Sequence, residues 1–349
     1  MANFDDFKLA VEALSGGKNT VILDDIGMPS VMVAWPKQKN SDLFGGSEII
    51  HPGSIVDGNE KTMYVSKFIN IVYNNRAYSL PYREPKHTIN FDTSVTMCRN
   101  KGAGWGLMPF SLWAQIALWA KKNGTMPRGN NNYGKDHSYV HEKGTGMAVD
   151  SSNRITRTAV GSGPATWNHN WLPDGIADMN GNVYEWCAGL RLKDGEIQII
   201  PYANSMLSTV SLGSDSTSWK AIDAATGNLV DPGTAGTLKY DYLNSKITLI
   251  SGTVTDDGSS GRSTGFTSLA AESGLTVPEL AEALILYPDS PGGDYGGDNR
   301  YVTLAGERLP LCGGDWNDTG SAGVFCVYLI NPRASADDNI GFRSAYCDL

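Results

Sequence analysis

Leu311-Cys-Gly-Gly-Asp-Trp316-Asn-Asp-Thr-Gly-Ser-Ala-Gly323, followed by Val324-Phe-Cys-Val-Tyr-Leu-Ile-Asn-Pro-Arg333, Ala334-Ser-Ala-Asp-Asp-Asn339 and Ile340-Gly-Phe-Arg-Ser-Ala-Tyr346, is the stretch whose reading decides the fold. Two kinds of position alternate along it. Gly313, Gly314, Trp316, Gly323, Phe325, Pro332, Ile340, Gly341, Phe342 and Arg343 have the character of a frame. Asp315, Asp318, Thr319, Ser321, Ser335, Asp337, Asp338 and Asn339 are small, polar and turn-prone. Apolar anchors bury and fix a backbone, and the polar residues between them are expected to face solvent. A rigid frame that displays side chains from its loops is a binding surface in outline.

A second motif lies upstream, Gly175-Ile-Ala-Asp178-Met-Asn-Gly181-Asn-Val183-Tyr-Glu185-Trp186. Asn180-Gly181 reads as a tight turn, with Val183 and Trp186 packing inward and two carboxylates beside the turn. This segment, with Gly-Gly-x-Trp and Gly-Phe-Arg near the end of the sequence, resembles the C-type lectin fold of the formylglycine-generating-enzyme type. In its details the tail is similar to the variable proteins of diversity-generating retroelements. The resemblance implies an α+β, C-type lectin-like fold. It also implies a function, recognition of ligands by side chains exchanged at adenine-rich codons. Asp315, Asp318, Thr319, Ser321, Tyr328, Ile330, Asn331, Ser335, Asp337, Asp338 and Asn339 are residue types reachable in this way and form the expected contacting set, with Ala334 also reachable. Tyr328 is the expected anchor, being large, amphipathic and stiff. Trp316 and Phe342 are expected to be scaffold, and Arg343 to hydrogen-bond carbonyls or a carboxylate beneath the surface. Turn chemistry alone would also produce an Asn/Asp-rich loop.

In the enzymes of that fold type the loop corresponding to 178–185 helps to bind calcium. The resemblance therefore nominates Asp178, the carbonyls of Gly181 and Val183, and Glu185 as ligands for a structural calcium ion, which wants six to eight oxygens. The other reading of these residues is that both carboxylates accept backbone hydrogen bonds in the turn. No other cofactor is implied.

The chain has 349 residues, a net charge of −9, 40 glycines, 9 tryptophans and 15 tyrosines. The negative balance argues against nucleic acid, whose phosphates need a basic face. No apolar run reaches membrane-spanning length. The acidic start, Met-Ala-Asn-Phe-Asp-Asp, lacks the marks of a secretory signal. Five scattered cysteines, without Cys-x-x-Cys, do not read as a disulfide framework.

Apolar residues at Phe4, Phe7, Val11 and Leu14 predict a helix, and 20–24 with 30–35 predict a hairpin. Residues 1–29 are therefore expected to be an assembly or packing segment, and 30–349 the lectin-like domain. Strands are expected within 62–73, and a helix over 111–122 with Ser111 as its cap and Asn123-Gly124 as its stop. Pro127-Arg-Gly-Asn130 resembles the Pro-x-Gly-Asn of the same fold type. Between about 192 and 300 the pattern lapses into a region rich in Gly, Ser, Thr and Asp, which reads as an insertion. Strand-like pieces fall at 196–201 and 239–251 and a helix-like piece at 278–286. The variable region is expected at about 311–346.

A formylglycine-type oxidase would need a cysteine pair after Gly-Gly-x-Trp, and the corresponding positions are Asp318 and Gly323. Neither side chain binds a soft metal. His137 and His141, four apart, could share a metal only on a helix. The sequence therefore reads as a non-enzymatic binder, with an oxidase or a lectin of fixed carbohydrate specificity as the competing classes. The resemblance implies a host-cell receptor, protein or glycan, as partner. It further implies a homotrimer, and a place in a phage virion or, before assembly, in bacterial cytoplasm.

Overall fold

The computed structural model describes residues 4–349. Reading the absent signal from Met1-Ala-Asn3 falls outside the described residues. Helix and sheet are mixed, and two sheets carry the frame. In the first, the strands run in the order Asn19–Leu23, Pro29–Trp35, Met63–Ser66, Ser344–Tyr346 and Trp105–Leu107. The N-terminal hairpin forms as expected, with Val21 opposite Val31. The last strand slots between Met63–Ser66 and Trp105–Leu107, so the start and end of the domain close on each other.

The second sheet is built on the tail. Its order is Arg262–Gly265, Asn299–Val302, Gly323–Leu329, Leu311–Gly313, Tyr184–Trp186 and Ile340–Phe342. The two motifs are thus neighbours in one sheet: Cys312 pairs with Glu185, and Gly341 runs parallel beside it. Strands at 299–302 and 262–265, expected within or at the edge of an insertion, extend this sheet past Gly323–Leu329. The intervening strands Glu196–Ile199, Lys220–Ile222, Leu229–Val230, Lys239–Leu243, Lys246–Ile250 and Ala270–Ala271 belong to a third sheet.

A helix, Phe110–Lys122, packs behind the tail sheet. Its sequence predicts one apolar face, yet every residue from Phe110 to Leu118 is buried, because the tail strand, the turn Pro52–Ser54 and two short helices, Asn40–Phe44 and Glu279–Ala283, pack around it. The Trp113 indole donates to the carbonyl of Val324 at 2.8 Å, pinning the helix to the tail strand. Ser111 is not the cap: Pro109 occupies that position, and the Ser111 hydroxyl donates to the Tyr202 carbonyl instead. Asn123 and Gly124, with φ +67°, end the helix as expected.

The Pro127–Asn130 and Asp178–Asn182 segments touch backbone to backbone. A Cβ on Gly129 would sit 1.7 Å from the Asn180 carbonyl oxygen, and one on Gly181 would sit 2.2 Å from that of Asn130. Only glycine permits this approach. The Asn182 amide N–H donates to Asn130 O at 2.7 Å and the Asn182 side chain accepts from Thr158 N–H, so the turn is fully paired.

Candidate functional site

At the corner where Ile340–Phe342 leaves the tail sheet and Ser344–Tyr346 enters the first, Arg343 turns inward. Its guanidinium makes a bidentate pair with Glu185, at 2.6 Å from Nε and 2.5 Å from Nη2. It also donates to the carbonyls of Ser66 and Ala177. Both partners are fully buried. Burial pushes the Glu185 carboxyl up, and Arg343 opposes that shift. A buried ion pair survives only with this degree of hydrogen bonding. The carboxylate expected beneath the surface is therefore Glu185.

This pair also bears on calcium. Both oxygens of Glu185 are taken by Arg343, and one oxygen of Asp178 accepts the Gly161 N–H at 2.7 Å. The positive charge the site needs is supplied by a guanidinium. Together with Gly181 and Val183, these residues do not fit a calcium shell, because their carboxylates face protein donors. His137 and His141 lie in a loop rather than on a helix, and no cluster of three metal-ligating side chains exists among the described residues.

The tail side chains fall on two loops and one strand. In the loop 315–321, Asn317 and Thr319 are exposed and Asp318 and Ser321 half-buried. Asp315 was expected at the surface but is 3% exposed. Its carboxylate accepts from Asn317 N–H at 2.9 Å and from the Asn339 amide at 2.7 Å. The Asp318 carboxylate in turn accepts the Asp315 N–H at 3.0 Å. Burial, then the neighbouring Asp318, pushes Asp315 up to about 6, and burial raises Asp318 as well.

In the loop 331–339, Asp337 and Asp338 are exposed, and Asn331, Ser335 and Asn339 half-buried. The backbone here is held from outside. Arg333 O, Asp337 O and Asn339 O accept from the N–H groups of Phe91, Thr88 and Tyr184. The Asp337 and Asp338 side chains carry none of that framework.

Between the loops lies the strand Gly323–Leu329. Tyr328 is half-buried, its ring 5.3 Å from that of Tyr184 and 5.0 Å from that of Tyr301. Ile330 sits beside Gly261. Asn299 donates to Tyr301 Oη and Ser321 Oγ, both at 3.3 Å. The result is a bed of three tyrosines rimmed by Asp318, Ser321 and Asn299. Sequence reasoning missed Tyr184, Tyr301 and Asn299. Tyr184 was read as part of a structural motif, and Asn299 falls inside, and Tyr301 just past, the segment of about 192–300 taken as an insertion. The alternation Asn299, Tyr301, Thr303 was the available signal.

No family model matches the chain, and no curated protein does. Among solved structures, the chain is similar to the Major Tropism Determinant U1 variant, with 10% identity over 94% of this chain and 71% of that one and a TM-score of 0.31. It is likewise similar to the P3c variant of that protein, at 10% identity over the same shares and a TM-score of 0.30. Treponema denticola variable protein 1 shares 12% identity over 95% of this chain and 99% of its own, with a TM-score of 0.32. These three are tropism-determinant and variable proteins. No residue correspondence follows from likenesses this distant.

Proposed function

We infer that this protein is a diversified ligand binder, whose tail presents exchangeable side chains to a receptor on a host-cell surface. One observation carries the reading: the loop 331–339 is held by main-chain bonds from Thr88, Phe91 and Tyr184 and by the Arg157 and Arg333 guanidinium groups, while the Asp337 and Asp338 side chains stay exposed, Asp338 lying 3.6 Å from Arg157. Side chains that do not define the backbone can be replaced without refolding it. The tyrosine bed around Tyr328 supplies contact area at low entropic cost, and the polar rim supplies adaptable hydrogen bonds. Binding rather than catalysis fits the chemistry of positions 318 and 323, an Asp and a Gly where the formylglycine-type oxidases carry cysteines. The five cysteines present are buried. In this reading residues 192–300 are an insertion in the lectin-like domain and the chain is displayed on a phage particle, where a trimer would turn weak single contacts into avidity.

The test is exchange of Thr319, Tyr328, Ser335, Asp337 and Asp338 together, followed by a receptor or whole-cell binding screen. The expected outcome is changed partner choice with a melting temperature within a few degrees of the parent. Unfolding, or unchanged partner choice, would overturn the reading. The genetic counterpart is an adjacent reverse-transcriptase gene with a near-copy of the 3′ coding end that differs at adenines.

A further inference from the structure

One line of paired positions crosses the tail sheet. Ser263 lies opposite Tyr301, Tyr301 beside Tyr328, Tyr328 opposite Leu311, and Leu311 opposite Trp186. Paired positions put their side chains on the same face of a sheet. At one end that face is covered: Leu311 and Trp186 are buried, and Phe91 of the helix Phe91–Arg99 packs edge-on against Trp186. At the other end it emerges into solvent, with Tyr328 and Tyr301 half-buried and Ser263 exposed. Tyr301 and Ser263 belong to strands outside the tail, so the open face carries the exchangeable surface onto residues that precede it in the chain.

The rim of this face is anionic. Asp318 is half-buried there, and the Tyr184 phenol donates to it. Burial pushes the phenols of Tyr184, Tyr301 and Tyr328 up, and the Asp318 carboxylate adds to the rise at each of them. Asp315 and the exposed Asp337 add to it at Tyr328. Among the described residues, none of these three carboxylates forms an ion pair with a lysine or arginine. The two guanidinium groups that hold the loop 331–339 are committed elsewhere, Arg157 to Glu84 and Asp338, and Arg333 to Glu307 and Asp92.

Aromatic rings at the surface under an unbalanced negative rim attract a cation and repel an anion. The acceptors at this rim are several. Besides the Asp318 carboxylate there are Tyr301 Oη and Ser321 Oγ, which share the Asn299 amide at 3.3 Å each. An ammonium brings three donors on a point charge, and a quaternary ammonium brings none. A guanidinium brings five donors in one plane, and that plane can lie on an aromatic ring while its edge donates to a carboxylate. The chemistry of the face therefore selects a guanidinium.

We propose that the open end of this face, Tyr301 and Tyr328 with Asp318 at the rim, seats an arginine side chain of a protein receptor. The guanidinium plane lies on Tyr301 and its edge donates to Asp318 and Ser321. This rests on the receptor reading above, gives the partner its chemistry, and adds Tyr301, outside the tail, to the contacting set.

The experiment is ligand-observed NMR titration of the full chain with acetyl-Gly-Xaa-Gly-amide peptides, in which Xaa is arginine, lysine or citrulline, and with choline. The arginine peptide should bind saturably with Kd on the order of 1 mM. Citrulline, which has nearly the same shape without the charge, should bind at least about tenfold more weakly. Lysine and choline should each fall about threefold or more below arginine. Raising the ionic strength should weaken the arginine peptide. Tyr301→Ala and Asp318→Asn should each weaken it about fivefold or more. Asp318→Asn keeps an acceptor for the Asp315 N–H, so it carries the test if Tyr301→Ala does not fold. The proposal is overturned if the arginine peptide does not titrate by about 20 mM, if citrulline or choline binds as tightly as arginine, or if folded Asp318→Asn binds as well as the parent. No arginine binding, with partner choice that still follows exchange of the tail, strikes this subsite alone. Arginine binding by the parent, with partner choice that ignores the exchange, strikes the diversified reading and leaves the subsite.

Discussion

The loops 315–321 and 331–339 share a composition of Asp, Asn, Ser and small residues, yet their carboxylates stand differently to the backbone. The first has main-chain bonds to Asn131 and Tyr133, and its own carboxylates add to them: Asp318 takes the Asp315 N–H, and Asp315 takes Asn317 N–H and the Asn339 amide. The second is held by main-chain donors from Phe91, Thr88 and Tyr184 and by two guanidinium groups, Arg157 on the Asp338 carbonyl and Arg333 on Glu307 and the Leu212 carbonyl, with the Asp338 carboxylate 3.6 Å from Arg157. The lesson is that a polar loop residue is exchangeable only when the backbone does not depend on it. By that measure Asp337 and Asp338 are the positions whose exchange should leave the loop in place, and Asp315 is one whose exchange should not.

The largest way to break this contrast is to remove what lies under both loops. Arg343→Met leaves the Glu185 carboxyl buried without its partner, and should cost about 3–5 kcal/mol in urea unfolding. A loss under about 1 kcal/mol would mean that the corner is held by something else.

Next in size is the titration of Asp315. Its folded value of about 6 lies above the ordinary aspartate value of about 3.9, so the native state binds the extra proton. Stability from this group is full below about pH 4 and falls as pH rises to about 6, by about 3 kcal/mol in total. Asp315→Asn should flatten that part of the stability–pH curve relative to the parent. Parallel curves would remove Asp315 from the frame. Asp337→Asn should leave the curve unchanged in the same window.

Smaller, and more direct, is the comparison of single truncations. Asp318→Ala should cost about 1–2 kcal/mol through the lost acceptor for Asp315 N–H. Asp337→Ala and Asp338→Ala should each stay within about 0.5 kcal/mol. Equal costs in the two loops would erase the distinction drawn here.

The smallest effect is expected at Thr319, a β-branched residue at φ +52°. Asn tolerates this left-handed conformation better, so Thr319→Asn should stabilise by about 0.5–1 kcal/mol. A stable variant with altered receptor binding would show display and strain meeting at one exposed position.

Much of the scaffold was legible because it is written in local chemistry. Asn180-Gly181 predicted the turn, 20–24 and 30–35 predicted the hairpin, and Asn123-Gly124 predicted the helix stop, each from backbone preferences that hold within a few residues. Arg343 was legible as an inward-facing donor, since a guanidinium among Gly, Phe and Ser in a buried strand must find acceptors. Periodicity misjudged Phe110–Lys122 because a helix enclosed on every side gives no polar face to its partners.

By itself, then, the sequence determined the turns, the N-terminal hairpin, and the Gly-Gly-x-Trp to Gly-Phe-Arg span that a sheet must bridge. Only the tertiary structure decided that Glu185 answers Arg343 and that Asp315 is buried. It alone brought Tyr184 and Tyr301, 117 positions apart in the numbering, to either side of Tyr328. The physical reason is that burial and charge pairing are properties of contacts between strands distant in the chain, and one-dimensional pattern carries no record of which strand lies beside which.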